Sequence, residues 1–309
     1  MKILFPALFV FATAVVAQTP RPSLEFMDGD SIVLLGGTLT EREQKFGFLE
    51  TALMLGAPDK KLSVRNLGWS GDTVFGHARS YFGPPEEGIT RLSVHLEMLK
   101  PSVAITCYGA DMPFEGLAKL PDFITGYRKL LEIIRSKNPN VRVIIVSPPP
   151  FENLGAPLPD LTEANATLAK VRDALKEFAI KQGAMFVDTF TLMGGAAKER
   201  PKQPLTDNGL HYTEAGYKIW STKLAEALGL PKTDVTTPEA TALRQAIVKK
   251  DFLFFNRWRP ANETYLFGFR KHEQGQNAKE MEQFDPIVEA QEKKMAELKT
   301  AALAAKKLP

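Results

Sequence analysis

Two tripeptides near the N-terminus each end in a hydroxyl residue: Gly29-Asp30-Ser31 and, seven residues on, Gly36-Gly37-Thr38. A side-chain hydroxyl becomes a nucleophile only when a base takes its proton. His211 is the residue type that exchanges protons near neutral pH, and it stands in a polar loop just before a helical pattern. Asp111 offers a carboxylate and Ser70 a further hydroxyl, both in loop sequence. Which tripeptide could act depends on the elements that place it.

Residues 31–36 form a short apolar run ending in glycines, which reads as a buried strand entering a tight turn. Further strands are expected at 61–66, 103–108, 141–146 and 185–188. The run at 141–146 is nearly all β-branched, as in a parallel strand buried on both faces, and Pro148-Pro149-Pro150 stops it. Between the strands lie helical patterns. Phe46, Leu49 and Leu53 share one face, as do Ile89, Leu92, Leu96 and Leu99; Phe123, Tyr127, Leu130, Leu131 and Ile134; and Leu168, Val171, Leu175 and Phe178. Thr213 can cap a last helix carrying Ile219, Leu224 and Leu228. Strand and helix alternate five times, the pattern of a parallel sheet with helices on both faces. In such sheets the ligand site lies beyond the carboxyl ends of the strands. Gly29-Asp30-Ser31 precedes its strand and is at the wrong end; Gly36-Gly37-Thr38 follows it and is at the right one.

Four segments end strands or lie in the last loop: 36–40, 66–73, 108–112 and 206–211. Their order and spacing resemble the SGNH, or GDSL-like, hydrolases over about residues 28–230, with NLGWSGDT and NGLHYTEAGY the most specific parts. The resemblance implies a flavodoxin-like three-layer α/β/α sandwich around a five-stranded parallel sheet. It also implies an ester hydrolase with a serine after the first strand, a glycine after the second, an asparagine after the third and a histidine near the C-terminus. Those positions fall on Thr38, Gly71, Asp111 and His211. By the same resemblance the Gly71 N–H would face an oxyanion, and His211 would be the base. The acidic residue that the family usually carries three positions before the histidine is Asn208 here, with Asp207 one further back.

Each departure has a physical meaning. A threonine hydroxyl can attack, but its methyl restricts χ1 and crowds the approach; Thr38 serves equally well as a helix cap. An ionised Asp111 only accepts hydrogen bonds and repels an oxyanion, whereas a protonated one donates. Asn208 cannot stabilise an imidazolium as a carboxylate does, and Asp207 could come round in its place. Ser70 could replace the missing serine or simply terminate its turn, and Arg42 could reach the pocket.

The rest of the chain bounds the setting. Residues 1–17 have Lys2, an apolar run and small residues at 15 and 17, so a signal peptide cleaved after Ala17 is expected. Gln18 rather than cysteine would begin the mature chain, which speaks against a lipoprotein. No later apolar run is long enough to span a membrane. The expected location is secreted or periplasmic. Cys107 is the single cysteine, so no internal disulfide can form. A formal charge of +3 on 309 residues, of which 24% are charged, excludes a nucleic-acid-binding class. No metal-ligand set, phosphate loop or dinucleotide fingerprint is present in the sequence, so no metal or cofactor is expected.

A polar linker at 231–238 leads to an extension, 239–309, similar to one attached to certain secreted bacterial members of the same superfamily. Its aromatic and basic part includes Arg257, Trp258 and Arg259, which could bind a glycan: arginines suit anions and Trp258 could stack on a sugar. The alternative is that the aromatics pack on the sandwich while the charges stay solvated. Residues 278–305 read as a helix. The sequence thus reads as a hydrolase of O-acyl groups on carbohydrates, or as a catalytically impaired carbohydrate-binding relative. In either case the partner is a small-molecule or glycan substrate, and the oligomeric state is not readable.

Overall fold

The computed structural model describes residues 24–196 and 202–305. The expected signal segment, 1–17, lies outside the described residues. Five parallel strands form one sheet: β1 (Ser31–Gly36), β2 (Ser63–Asn66), β3 (Val103–Cys107), β4 (Arg142–Val146) and β5 (Met185–Val187). Their order is β2-β1-β3-β4-β5, the doubly wound order. The three central strands, β1, β3 and β4, are buried almost throughout and are correspondingly apolar, whereas the edge strands β2 and β5 are half-buried at alternate or successive positions.

Alternation along β1 assigns the two faces. Val33 and Leu35 join a core with Leu92 and Leu96 of α3 (Pro85–Leu99), Tyr127 and Leu130 of α4 (Leu120–Lys137), and Val171 and Leu175 of α5 (Thr162–Lys181). Ile32 and Leu34 join the opposite core with Leu49 and Leu53 of α2 (Phe48–Gly56) and Trp220 and Leu224 of α6 (Glu214–Ala227). The result is the three-layer α/β/α sandwich. Thr213 caps α6 as expected, its hydroxyl accepting the Gly216 N–H. The helical pattern after β1 is broken in two: α1 (Thr38–Glu43) and α2 are separated at Gly47, whose φ of 67° is left-handed.

Gly29-Asp30-Ser31 does lie at the amino end of β1. Asp30 is buried and pairs with Arg142, and its carboxylate accepts bonds from the Ser102 hydroxyl and the Met27 N–H at 2.7 Å each. That tripeptide holds strand ends together.

The C-terminal region is built into the sandwich. Helix α7 (Pro238–Trp258) begins at Thr237, whose side chain caps it, and packs along α8 (Phe284–Ala305). Met54 and Leu55 of α2 meet Leu243 and Ile247 of α7 and Met295 of α8. Beneath this contact is a buried ionic cluster: Lys250 Nζ donates to Glu50 Oε2 and Asp251 Oδ1 at 2.6 Å each and to the Val64 carbonyl at 2.9 Å.

Glu43 closes α1 beside this cluster. Its carboxylate accepts the Leu49 N–H at 2.7 Å, and burial, followed by the charge of Asp251, pushes its pKa up to about 7. A carboxyl whose folded pKa is raised binds a proton that the unfolded chain has already released. Its contribution is therefore full below about 4.5 and is lost as pH rises through about 7. We expect Glu43→Gln to flatten the fall in unfolding free energy over that interval, by about 3 kcal/mol in total. Urea unfolding at several pH values measures it; an unchanged slope would count against the assignment. No helix among the described residues is long and apolar enough to cross a membrane.

Candidate active site

The carboxyl ends of β1, β2 and β3 and the loop before α6 converge on a cavity of about 210 Å³. Thr38, Gly71, Asp111 and His211 all line it, with Asp72, Tyr108 and Phe151 among the remaining wall residues. The four sequence candidates, separated by up to 173 positions (211 − 38), are thus brought to one place.

Thr38 opens α1 directly after Gly37, and its hydroxyl makes no cap bond to its own helix. Instead Thr38 Oγ1 accepts the Gly71 N–H at 3.2 Å. The loop that carries Gly71 is pinned hard against α1. The Asn66 amide donates to the Thr40 carbonyl at 2.6 Å while its oxygen accepts the Gly68 N–H at 2.8 Å. A Cβ at Gly68 would lie 2.4 Å from the Glu41 nitrogen, so only glycine permits this approach. Gly71 itself has φ +76°, which aims its N–H back toward Thr38 and favours glycine. Below the loop, Arg79 and Asp72 form a fully buried pair at 2.6 Å, and Arg79 also donates to the Leu67 carbonyl at 2.7 Å.

Ser70 is bound to Glu41 rather than facing the cavity. Its hydroxyl and N–H both go to the Glu41 carboxylate, at 2.9 and 2.8 Å, and it does not line the cavity. Glu41 in turn accepts from Arg259 at 2.5 Å. Arg259 lies 3.7 Å over the Trp69 ring, so the extension grips the loop that carries Gly71.

His211 is oriented by Asn208. The Asn208 amide nitrogen lies 3.1 Å from His211 Nδ1, and its oxygen accepts the N–H groups of Leu210 and His211 at 3.1 and 2.9 Å. Asp207 does not take over this place; its carboxylate faces Arg42 at 3.7 Å, and Arg42 is not part of the cavity wall. Burial and then the Arg42 charge hold the His211 pKa below its ordinary value, with Asp207 opposing them. The Asp111 carboxyl is raised, chiefly by burial, with Glu115 and Asp72 adding to the shift and His77 opposing it. Both shifts favour the uncharged form of the side chain.

Of the residues expected to form a glycan platform in the extension, Arg257 and Trp258 line a separate cavity of about 720 Å³, and Arg259 does not. Trp258 is only 8% exposed, its ring packed edge-on against Trp69 and His95 at 5.6 and 4.9 Å and against Phe255. Arg257 pairs with Asp285 at 2.9 Å within the extension, and Arg259 pairs across to Glu41 of α1. None of the three lines the strand-end cavity. The larger cavity lies between α3 and the extension, away from Thr38 and His211. Its histidine, His95, is pulled down to about 3 by burial and by Arg79, Arg91 and Arg257, and stays uncharged at neutral pH. Among the described residues, no group of three or more His, Cys, Asp or Glu side chains could hold a metal ion.

The residues missed from sequence are Asn66, Asp72, Arg79 and Glu41. Asn66 and Asp72 flank the loop at its two ends, a signal present in the sequence; Arg79 and Glu41 are recognisable only from their contacts.

Fold and cavity together define a flavodoxin-like α/β/α protein with a polar site at the strand ends, built from a hydroxyl, a backbone N–H, a carboxyl and an imidazole. The model of the GDSL-like lipase/acylhydrolase family matches residues 29–219, and the chain belongs to this family. No curated protein sequence matches it. Among solved structures, a GDSL-like lipase from Parabacteroides merdae is similar, with 19% identity over 68% of this chain and all of its own, and a TM-score of 0.55. Axe2, an acetylxylan esterase from Geobacillus stearothermophilus, shares 18% identity over 68% of this chain and 99% of its own, with a TM-score of 0.51. BT4096, a gut microbial diltiazem-metabolizing enzyme, is 12% identical but covers 92% of this chain and 97% of its own, with a TM-score of 0.61.

Proposed function

We propose that the chain is an ester hydrolase that removes O-acyl groups, acetyl foremost, from carbohydrates, and that it works outside the cytoplasm once residues 1–17 are removed. The observation that carries the reading is the Gly71 N–H directed at Thr38 Oγ1, 3.2 Å away, in a cavity also lined by His211. The acetylxylan esterase activity of Axe2, a protein of the same fold, supports the substrate class.

On this reading Thr38 Oγ1 bonds to the acyl carbon while its proton passes to His211 Nε2. The oxyanion that forms lies against the Gly71 N–H, the Thr38 N–H and protonated Asp111. Collapse expels the sugar hydroxyl, which takes the proton from His211, and leaves Thr38 acylated. Water, deprotonated by His211, then releases the carboxylic acid and restores Thr38.

A pH profile tests this directly. The reaction needs His211 neutral and Asp111 protonated. Protonation of His211 removes activity at low pH and ionisation of Asp111 removes it at high pH; the lowered His211 pKa and the raised Asp111 pKa each widen the range over which that group is in its working form. Hydrolysis of acetylated xylo-oligosaccharides should follow a bell-shaped pH profile. Asp111→Asn supplies a donor at every pH, so it should abolish the alkaline fall and raise the rate at pH 8 about tenfold or more. No hydrolysis by folded protein at any pH would defeat the proposal.

The second reading, a glycan-binding relative with impaired catalysis, is favoured by a specific contact: an amide nitrogen, not a carboxylate, faces His211 Nδ1. Binding of acetylated glycans without turnover would support it.

A further inference from the structure

The amide of Asn208 can be oriented without seeing a hydrogen. Its oxygen is met by two backbone donors, Leu210 N–H at 3.1 Å and His211 N–H at 2.9 Å. Turning the amide over would set its NH₂ against both donors and forfeit both bonds. The nitrogen therefore faces His211 Nδ1, at 3.1 Å. An amide nitrogen only donates. For that contact to be a hydrogen bond, Nδ1 must carry a lone pair, and a neutral imidazole with a bare Nδ1 carries its proton on Nε2.

We infer that Asn208 holds resting His211 in the Nε2–H tautomer, so that the ring presents a donor rather than a base to the cavity that contains Thr38. The inference rests on the hydrolase reading for its consequence, but not for its content. Nε2 can take the Thr38 proton only in the other tautomer, with the proton on Nδ1. That tautomer puts N–H against NH₂ at Asn208, and the imidazolium formed during the reaction does the same. Asn208 is thus a positioning residue with a negative sign: it keeps the site filled with donors and slows acyl transfer. A carboxylate in the same place would have the opposite effect. One oxygen would keep both backbone N–H bonds, and the other would accept from Nδ1–H and support the imidazolium.

The same chain of contacts distinguishes Asn208 from a residue that merely shapes the loop. A loop-shaping residue would be replaced by its isostere aspartate with no change in tautomer. The experiment is long-range ¹H–¹⁵N correlation on uniformly labelled protein at about pH 8, with His211 assigned by its loss in His211→Gln. It is run on the wild type and on Asn208→Asp, alongside kcat for p-nitrophenyl acetate and acetylated xylo-oligosaccharide. We expect the Nε2–H pattern in the wild type, the Nδ1–H pattern in Asn208→Asp, and a rise in kcat of about 100-fold, part of the roughly 10⁴-fold that the reverse exchange costs a full triad. An Nδ1–H pattern in the wild type, or an Nε2–H pattern that survives in Asn208→Asp, overturns the inference. The predicted tautomers with no hydrolysis by either protein would uphold the inference and sink the hydrolase reading, so the two failures are separable.

Discussion

Lys250→Met is expected to cost about 3–5 kcal/mol of folding stability, the penalty for stranding buried charge. Lys250 is fully buried, with Glu50 and Asp251 only 2% and 3% exposed at its ammonium. Burial alone would lower the lysine pKa, but the charges of Asp251 and Glu50 hold it up, so the ammonium stays charged. Burial pushes Glu50 the other way, up to about 8. Removing the cation leaves Glu50 and Asp251, already raised by burial, either ionised with only Arg65 near them or protonated at the cost of moving their pKa higher still. The cluster joins α2 to α7, so the loss should appear both in urea unfolding and as earlier proteolysis within the C-terminal region. Replacing Glu50 and Asp251 by their amides in the Lys250→Met protein should recover much of the stability, because neutral polar groups cost far less to bury than charges. A loss under about 1 kcal/mol would mean that the cluster is solvated in a way its geometry does not suggest.

The second large effect concerns catalysis. Thr38→Ala and His211→Ala should each remove about 10²-fold of the hydrolytic rate in the natural chain and about 10⁴-fold in the Asn208→Asp background. The smaller figure follows from Asn208: a site whose base rests in the wrong tautomer has already lost much of what its nucleophile could supply. The double variant should be no worse than either single one, since the two groups act in one proton transfer. Thr38→Ser, which keeps the hydroxyl and removes the crowding methyl, should retain activity. Rates at saturating p-nitrophenyl acetate, with folding checked by circular dichroism, provide the comparison. Additive losses would show that Thr38 and His211 do not work together.

Much of the sandwich was legible because its signals are local. Apolar runs with glycine at their ends marked the strands, helical spacing marked the faces, and alternation of the two specified a parallel sheet. The topology rule placed the two tripeptides at opposite ends of β1, and there they lie: Asp30 is tied to Arg142 and Ser102 at one end, and Thr38 meets Gly71 at the other. The C-terminal region was harder to read. Thr237-Pro238-Glu239 is a helix start that the reading as a polar linker passed over. Lys250 looks like any surface lysine until Glu50, 200 positions away, is seen beside it. That the Trp258 ring packs against Trp69 and His95 and that Arg259 pairs with Glu41 is not legible in composition, which does not say what covers a ring or pairs a guanidinium. The substitution at Asn208 and its loss of support for an imidazolium were visible, but the tautomer it holds was not. That depends on two backbone N–H groups fixing which end of the amide faces the histidine.

In the proposed reaction Thr38 is the residue that receives the acyl group. The measurement that tests this most directly is reaction of the folded protein with a fluorophosphonate, which captures an activated hydroxyl, followed by peptide mapping by mass spectrometry. One adduct is expected, on the peptide carrying Thr38, formed faster in Asn208→Asp and absent in His211→Ala. An adduct on Ser70, or none in any of the three proteins, would contradict it.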